Sequence, residues 1–389
     1  MPQAEIVIIG GGVIGTSTAF QLARRHAGRV IVLERETVGA GPTARTIGII
    51  RLHYSHEPLI RMAARGLEVF RRFEAVTGAT ADFVPAGFLV LADASQLAAL
   101  EANVALQRRL GVRTSVLTPA ELARLEPRLD LHGIAGAAYE PDAGYADGHA
   151  AAAGFAAAAR RGGVEIWERT RAEHLVVERG ALRAVVTTRG IVETGRALLA
   201  AGAWTPALLA TVGATLPIQA AREQVVHLAL PAGFGPLRLM IEDLTQGFYV
   251  RPESHGTALA GVLEEAPEQI VPPDDYPAGV DLAFVERVGA LWARRYPGAA
   301  DAAVRGGYAS IYDVTPDWQP VLGAMPGVEG LYVAAGFSGH GFKLSPAVGE
   351  ALAALLVGDR PEIDIGAFHP SRFAEGRLLR GKHAHGILG

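Results

Sequence analysis

The 389-residue chain contains no cysteine. Disulfides, thiolate metal sites and cysteine nucleophiles are therefore excluded. Lysine is almost missing: among 36 basic residues only Lys343 and Lys382 are lysines. Arginine elsewhere makes Lys343 stand out, because it closes a glycine-rich segment. Charge of one sign is not in excess. The formal net charge of −4 offers nothing in bulk to a polyanion, which argues against a nucleic-acid partner. Long apolar runs are absent too. No stretch of about 18 apolar residues occurs, so no membrane span is expected. Only Met-Pro-Gln-Ala-Glu precedes the first apolar strand, and it has no basic, cleavable character. These absences fit a cytoplasmic protein.

What remains is globular composition, half hydrophobic and a fifth charged, in a chain long enough for about two domains. Ile6–Ile9 reads as a buried strand, Val13–Arg25 as a helix and Arg29–Leu33 as a second strand, a βαβ unit. Helices are expected at about Pro58–Val76, Ala94–Leu110, His149–Arg161, Asp281–Tyr296 and Ser345–Leu356. Thr118 and Pro119 read as the cap and first residue of another. Strands are expected at Phe88–Leu91, Glu165–Trp167, Ala172–Glu178, Arg183–Thr188, Ala197–Ala200 and Leu331–Ala335, with a β-rich block from Leu216 to Gly261. The fold class is α/β plus α+β. A Rossmann-type domain (1–80, 145–218 and 305–389) is interrupted by a mixed-sheet substrate domain (81–144 and 219–304).

Gly10-Gly11-Gly12-Val13-Ile14-Gly15 spells G-x-G-x-x-G between a strand and a helix, the context in which it binds a dinucleotide. Gly10 allows the tight turn, Gly12 the approach of a pyrophosphate, and Gly15 close helix–strand packing. The free N–H groups of the helix start then face the phosphates. Glu34, followed by Arg35, ends the second strand 34 − 15 = 19 residues past the last glycine. An acid at that distance accepts hydrogen bonds from a ribose diol and repels a 2′-phosphate. Two further small-residue turns follow strands: Ala200-Ala201-Gly202-Ala203-Trp204, and Gly336-Phe337-Ser338-Gly339-His340-Gly341-Phe342-Lys343. A second glycine-rich helix start suits the edge of a flavin, which becomes negative on reduction.

In these segments, and over roughly Ile6 to Phe373, the chain resembles the D-amino-acid oxidase superfamily of FAD enzymes. The branch it looks most like holds sarcosine oxidase, dimethylglycine dehydrogenase and the sarcosine oxidase β-subunit. Tyr312 to Asp317 and Arg45 to Arg51 also carry the resemblance, and Gly336 to Lys343 is the most specific part. The resemblance implies FAD lying extended between the two domains. Thr43, Ala44, Arg45 and Thr46 would run along the pyrophosphate and flavin. Gly339, His340 and Gly341 would lie beside the flavin pyrimidine ring. Arg51 and Lys343 match a pair that grips a substrate carboxylate, Tyr249 a tyrosine over the substrate, and Tyr312 one near the flavin face. His340 could touch the flavin, while His53 could point away.

Two departures shape the expectation. Ser310 stands where the monomeric branch tethers flavin through cysteine, so FAD should be non-covalent unless a histidine serves. Thr257–Gly261 lacks a lysine linked in that branch to oxygen activation, which favours a dehydrogenase or slow oxidase. The expected reaction is oxidation of the C–N bond of a small secondary or tertiary amino acid, N-methyl or cyclic, by hydride transfer to flavin N5, with the imine hydrolysed in water. A D-amino-acid or glycine dehydrogenase or oxidase is the second reading. A flavoprotein subunit of a multi-protein amine-oxidising complex is the third. The electron acceptor (oxygen, a quinone or an electron-transfer protein) is left open. No metal is expected: Asp142, Asp147 and His149 fit no common spacing, and Asp147 more simply caps a helix. Gly336–His340 is no nucleophile elbow, because its fifth residue is histidine.

Overall fold

The computed structural model describes residues 2–263 and 266–382. Strand β1 (Ile6–Ile9) is apolar at every position because both of its faces are covered. It pairs in parallel with β2 (Val30–Leu33) on one side and with Ala197–Leu199 on the other. The six-stranded sheet continues outward through Glu165–Trp167 at one edge and through Leu331–Ala335 and Val321–Ala324 at the other. Ile6, Ile8, Val30 and Val32 face a layer of helices: α1 (Val13–Arg24), Glu57–Arg71, Gly148–Arg161 and Gly341–Val357. Val7, Ile9, Ile31 and Leu33 face a three-stranded antiparallel sheet, residues 172–193, and the short helix Thr205–Ala210. Each fully buried aliphatic side chain contributes about 1.5–3 kcal/mol.

The second domain is an eight-stranded mixed sheet. One face packs on Leu282–Arg295 through Phe284, Val288 and Trp292. The other packs on Leu97–Arg109 through Leu100 and Val104. Its longest pairing joins Gln219–Ala229 to Ala303–Val314. The chain therefore returns to the first domain only after Val314, later than the boundary of 305 read from the sequence. The reason is that this edge strand, exposed over its first four residues and buried in a block at Ala309–Ile311, has no two-residue alternation from which its sheet could be read.

Two helices also differ from expectation. The one read as Pro58–Val76 is broken into Glu57–Arg71 and Phe73–Thr77 at Arg72, whose φ of −117° leaves the helical region. The last helix begins at Gly341, not Ser345, with Pro346 inside it. Proline cannot donate to the carbonyl four residues back. Ser345 Oγ donates to that carbonyl, Phe342 O, at 2.8 Å. Lys343 consequently lies in the first turn of a helix. Thr118 caps Pro119–Leu125 in a capping box with Glu121, as the sequence indicates.

Candidate cofactor and active site

A cavity of about 640 Å³ runs between the two domains. At one end the sequence between β1 and α1 forms a cradle that only glycine permits. Gly10 has φ +115°, and a Cβ there would stand 2.3 Å from Ala200 O. A Cβ on Gly15 would stand 2.0 Å from Gly10 O, so the helix start and the strand end touch through backbone alone. Glu34 ends β2 at this cradle. Its Oε2 accepts from Gly11 N at 2.7 Å and its Oε1 from Glu36 N at 2.8 Å. A carboxylate has lone pairs beyond these two bonds for a ribose diol.

Most of the dinucleotide residues read from the sequence line this cavity: Gly10, Gly12, Val13, Ile14, Glu34 and Arg35 from the first unit, and Ala201, Gly202 and Trp204 from the second turn. Thr43, Arg45 and Thr46 line it from a one-turn 3-10 helix, Pro42–Arg45, where Thr43 Oγ1 accepts from Val13 N at 3.1 Å. Gly339, Gly341 and Phe342 line the far end together with Tyr249 and Tyr312. Gly15, Ala44, Gly336, Ser338, His340 and Lys343 do not line the cavity. Ser338, at φ +49°, instead fastens the glycine loop: its N donates to Asp313 O at 3.0 Å and its Oγ accepts from Thr315 N at 3.2 Å.

Arg51, His340 and Lys343 are almost wholly buried and, unlike Tyr249, do not line the cavity. Tyr249 is the cross-strand neighbour of Glu242, so both side chains leave the same face of the sheet. Arg51 Nε meets Glu242 Oε1 at 3.0 Å, and its Nη1 donates to His53 O at 2.6 Å. The guanidinium carbon also lies 4.6 Å from the Tyr54 ring centre. Burial works against the Arg51 cation, but Glu242, Tyr54 and Glu140 outweigh it and keep it protonated. His340 Nδ1 lies 3.2 Å from Tyr54 Oη. Burial, with the charges of Lys343 and Arg51, pushes His340 well below the usual histidine range, so its imidazole is neutral. The same burial and Arg51 lower Lys343, with Glu242 opposing them. His53 turns its ring toward Asn103, 3.5 Å away.

Several groups in or around the site were not read as site residues from the sequence. Glu242 stands beside Asp243 in the four-residue strand Met240–Asp243, two adjacent acids after an apolar pair, and that incongruity is the one signal that could have found it. Glu140 is fully buried and pushed up to about 7 by burial, while it accepts from Leu52 N at 2.8 Å and from Gln107 Nε2. Asp313 lines the cavity, accepts from Gly336 N at 2.7 Å, and is pushed up to about 6 by burial. Glu223 lines the cavity beside Tyr249 and Tyr312. Asp142 holds Arg71 and Arg113, and Asp147 caps Gly148–Arg161 by accepting from Ala150 N at 2.7 Å. Among the described residues no cluster suited to a metal occurs, and no helix is long and apolar enough to cross a membrane.

Residues 5–355 match the DAO family, FAD dependent oxidoreductase. The chain belongs to this family. It is 31% identical over 389 residues to 4-methylaminobutanoate oxidase (formaldehyde-forming) of Paenarthrobacter nicotinovorans, covering 96% of this chain and 46% of that protein. The chain thus spans about half the length of that relative. It is 27% identical to glycine oxidase of Geobacillus kaustophilus, covering 95% and 97% of the two chains. In structure it resembles L-proline dehydrogenase from P. horikoshii, with a TM-score of 0.89, 29% identity, and coverage of 97% and 100%. The family's dependence on FAD agrees with the cavity: a glycine cradle any Cβ would obstruct, an acid at the end of β2, and an elongated space reaching the second domain.

Proposed function

We propose that this DAO-family chain oxidises the C–N bond of a small secondary or tertiary amino acid, N-methyl or cyclic. FAD, when bound, supplies the acceptor for two electrons and the hydrogen of the amine carbon. The observation that carries the reading is the buried cluster of Arg51 and Lys343, linked through Glu242, the cross-strand neighbour of Tyr249, to the Tyr249 end of the cavity. A substrate carboxylate drawn to that end would leave its amine and α-carbon along the wall formed by Tyr249 and Tyr312.

The two cations have different tasks in this reading. Arg51 is committed to Glu242 and His53 O, and a bidentate grip on substrate would require Glu242 to let go. Arg51 therefore positions Glu242 and sets the local field, and Lys343 meets the carboxylate. A bound carboxylate would favour the lysine cation that burial otherwise disfavours. The neutral His340, held by Tyr54, is a wall beside the glycine loop.

Ser310 lines the cavity, and its hydroxyl has no hydrogen-bond partner among the described residues. With serine there in place of a tethering cysteine, FAD is held without a covalent bond. Gly261 packs against the Tyr249 ring, where a Cβ would stand 2.3 Å from the hydroxyl. The stretch Thr257–Gly261 carries no lysine, which favours a dehydrogenase passing electrons to a quinone or protein acceptor over a fast oxidase.

The test is an anaerobic titration of the purified holoprotein with sarcosine, proline, dimethylglycine and D-alanine, followed by acid precipitation. Bleaching of the oxidised flavin band by an N-alkyl or cyclic amino acid supports the reading, and a yellow supernatant supports non-covalent FAD. Bleaching by D-alanine alone overturns the substrate class and moves the assignment to a D-amino-acid enzyme.

A further inference from the structure

The connection between strand Thr257–Val262 and helix Leu282–Arg295 does not turn back directly. Its later part is stitched to the substrate-domain sheet at both ends. Arg222 N donates to Gln269 O and Val271 N to Ala220 O, each at 2.9 Å, and Ala309 N donates to Ala278 O at 2.7 Å. The buried Arg222 side chain adds bonds to Pro277 O at 2.9 Å, Gly279 O at 2.6 Å, Gln269 Oε1 at 2.8 Å and Asp281 Oδ2 at 2.6 Å.

Between these anchors, residues 272–276 project toward the first domain. Pro272, Pro273 and Pro277 stiffen the projection, because each fixes φ. At its tip one carboxylate oxygen, Asp274 Oδ1, accepts from Arg35 Nη1 at 2.6 Å and from Trp204 Nε1 at 3.0 Å. Arg35 in turn stacks on the Trp204 ring at 4.0 Å. Arg35 follows Glu34 at the end of β2, and Trp204 closes the second small-residue turn. All three residues line the cavity at its dinucleotide end. A segment of one domain thus grips two cofactor-lining residues of the other.

We propose that residues 269–281 form a strap that retains FAD, with Asp274 latching Arg35 and Trp204 across the adenosine end of the cavity so that the cofactor enters and leaves only when the latch is open. The anchors keep the strap in register while only its tip has to move. The latch is solvent-exposed, so ions screen it.

The experiment uses FAD-loaded protein diluted into buffer, with release followed by the recovery of free-flavin fluorescence, and FAD uptake by the apoprotein followed by its quenching. Asp274→Ala is expected to speed release by about fivefold, the scale of an exposed ion pair. Asp274→Lys is expected to speed it further, through repulsion from Arg35 and Arg171. Uptake should accelerate in Asp274→Ala as well, because a latch slows passage in both directions. Salt should speed release from the wild-type protein and have little effect on Asp274→Ala. Release unchanged in both variants overturns the proposal. Faster release with unchanged uptake also overturns it, since Asp274 would then be a direct cofactor contact rather than a latch.

Discussion

Gly66 sits directly against the carbonyl of Lys343: a Cβ built on Gly66 would stand 2.0 Å from Lys343 O. Helix Glu57–Arg71 therefore crosses the first turn of the last helix backbone to backbone. The height of Lys343 above the site is set by a residue that faces no ligand. Gly66→Ala cannot be absorbed by a flexible side chain, because the obstacle is backbone. We expect it to push the helix start outward, at a cost of roughly 1–3 kcal/mol of stability. Apparent affinity for carboxylate amines should fall more than the stability loss explains. Thermal unfolding and substrate titration of the bleached flavin band measure the two effects separately.

Arg51 and Lys343 should respond in opposite ways to removal. Arg51→Ala strands the buried Glu242 carboxylate, and breaking such a pair costs about 3–5 kcal/mol. Lys343→Met removes a cation that burial disfavours, so stability should hold or rise while affinity for carboxylate substrates drops tenfold or more. The double variant Arg51→Met/Glu242→Gln should regain much of the stability lost in Arg51→Ala. Denaturant titrations of the variants decide this. Equal stability losses for Arg51→Ala and Lys343→Met would sink the division of labour.

Glu140 gives a pH-dependent term. Burial raises its folded pKa to about 7 from an ordinary value of 4.5. Between those values the folded state binds the proton more fully than the unfolded state, so stability falls as pH rises through this window. The total loss is on the order of 3 kcal/mol. Lys343, lowered to about 7, overlaps the upper end of this window with the opposite slope, so the comparison is made against Glu140→Gln, which retains Lys343. Glu140→Gln keeps an acceptor for Leu52 N and carries no charge. It should be more stable than wild type at about pH 8 and lose that advantage at about pH 5. Melting curves across this range check the slope; a variant that tracks the wild type throughout counts against the account.

Asp317 and Arg372 form a second buried pair, remote from the cavity. Arg372 Nε donates to Asp317 Oδ2 at 2.8 Å and Nη2 to Oδ1 at 3.0 Å, with further bonds to Gln319 O and Phe368 O. This bidentate contact, with Leu379 N donating to Asp317 Oδ2, pins residues 366–379 onto the segment 317–319 that precedes the strand Val321–Ala324. Arg372→Ala should cost about 3–5 kcal/mol. Digestion by a protease should then begin in this segment at temperatures where the wild type resists it.

The nucleotide half of the site was legible because its chemistry is local. Gly10, Gly12 and Gly15 stand within six residues of one another between a strand and a helix, and Glu34 follows at the distance a βαβ unit imposes. The same is true of the capping box at Thr118 and the Asp147 cap. The glycine loop ending at Lys343 was legible as a motif. The start of its helix was misplaced, because Ser345 takes the carbonyl that Pro346 cannot serve and only the folded geometry shows that bond.

The sequence by itself determined a glycine turn between a strand and a helix with an acid at the end of the next strand, excluded cysteine chemistry, and marked a β-rich block from Leu216 to Gly261. Only the tertiary structure decided what Arg51 does, because its partner Glu242 lies 191 residues away on another sheet. It alone placed Glu140, Asp313 and Glu223 around the site, and it alone brought Asp274 to Arg35 and Trp204. Backbone turns and caps are set by neighbours along the chain. The charge state and commitments of a buried side chain are set by neighbours in space, and those exist only once the chain has folded.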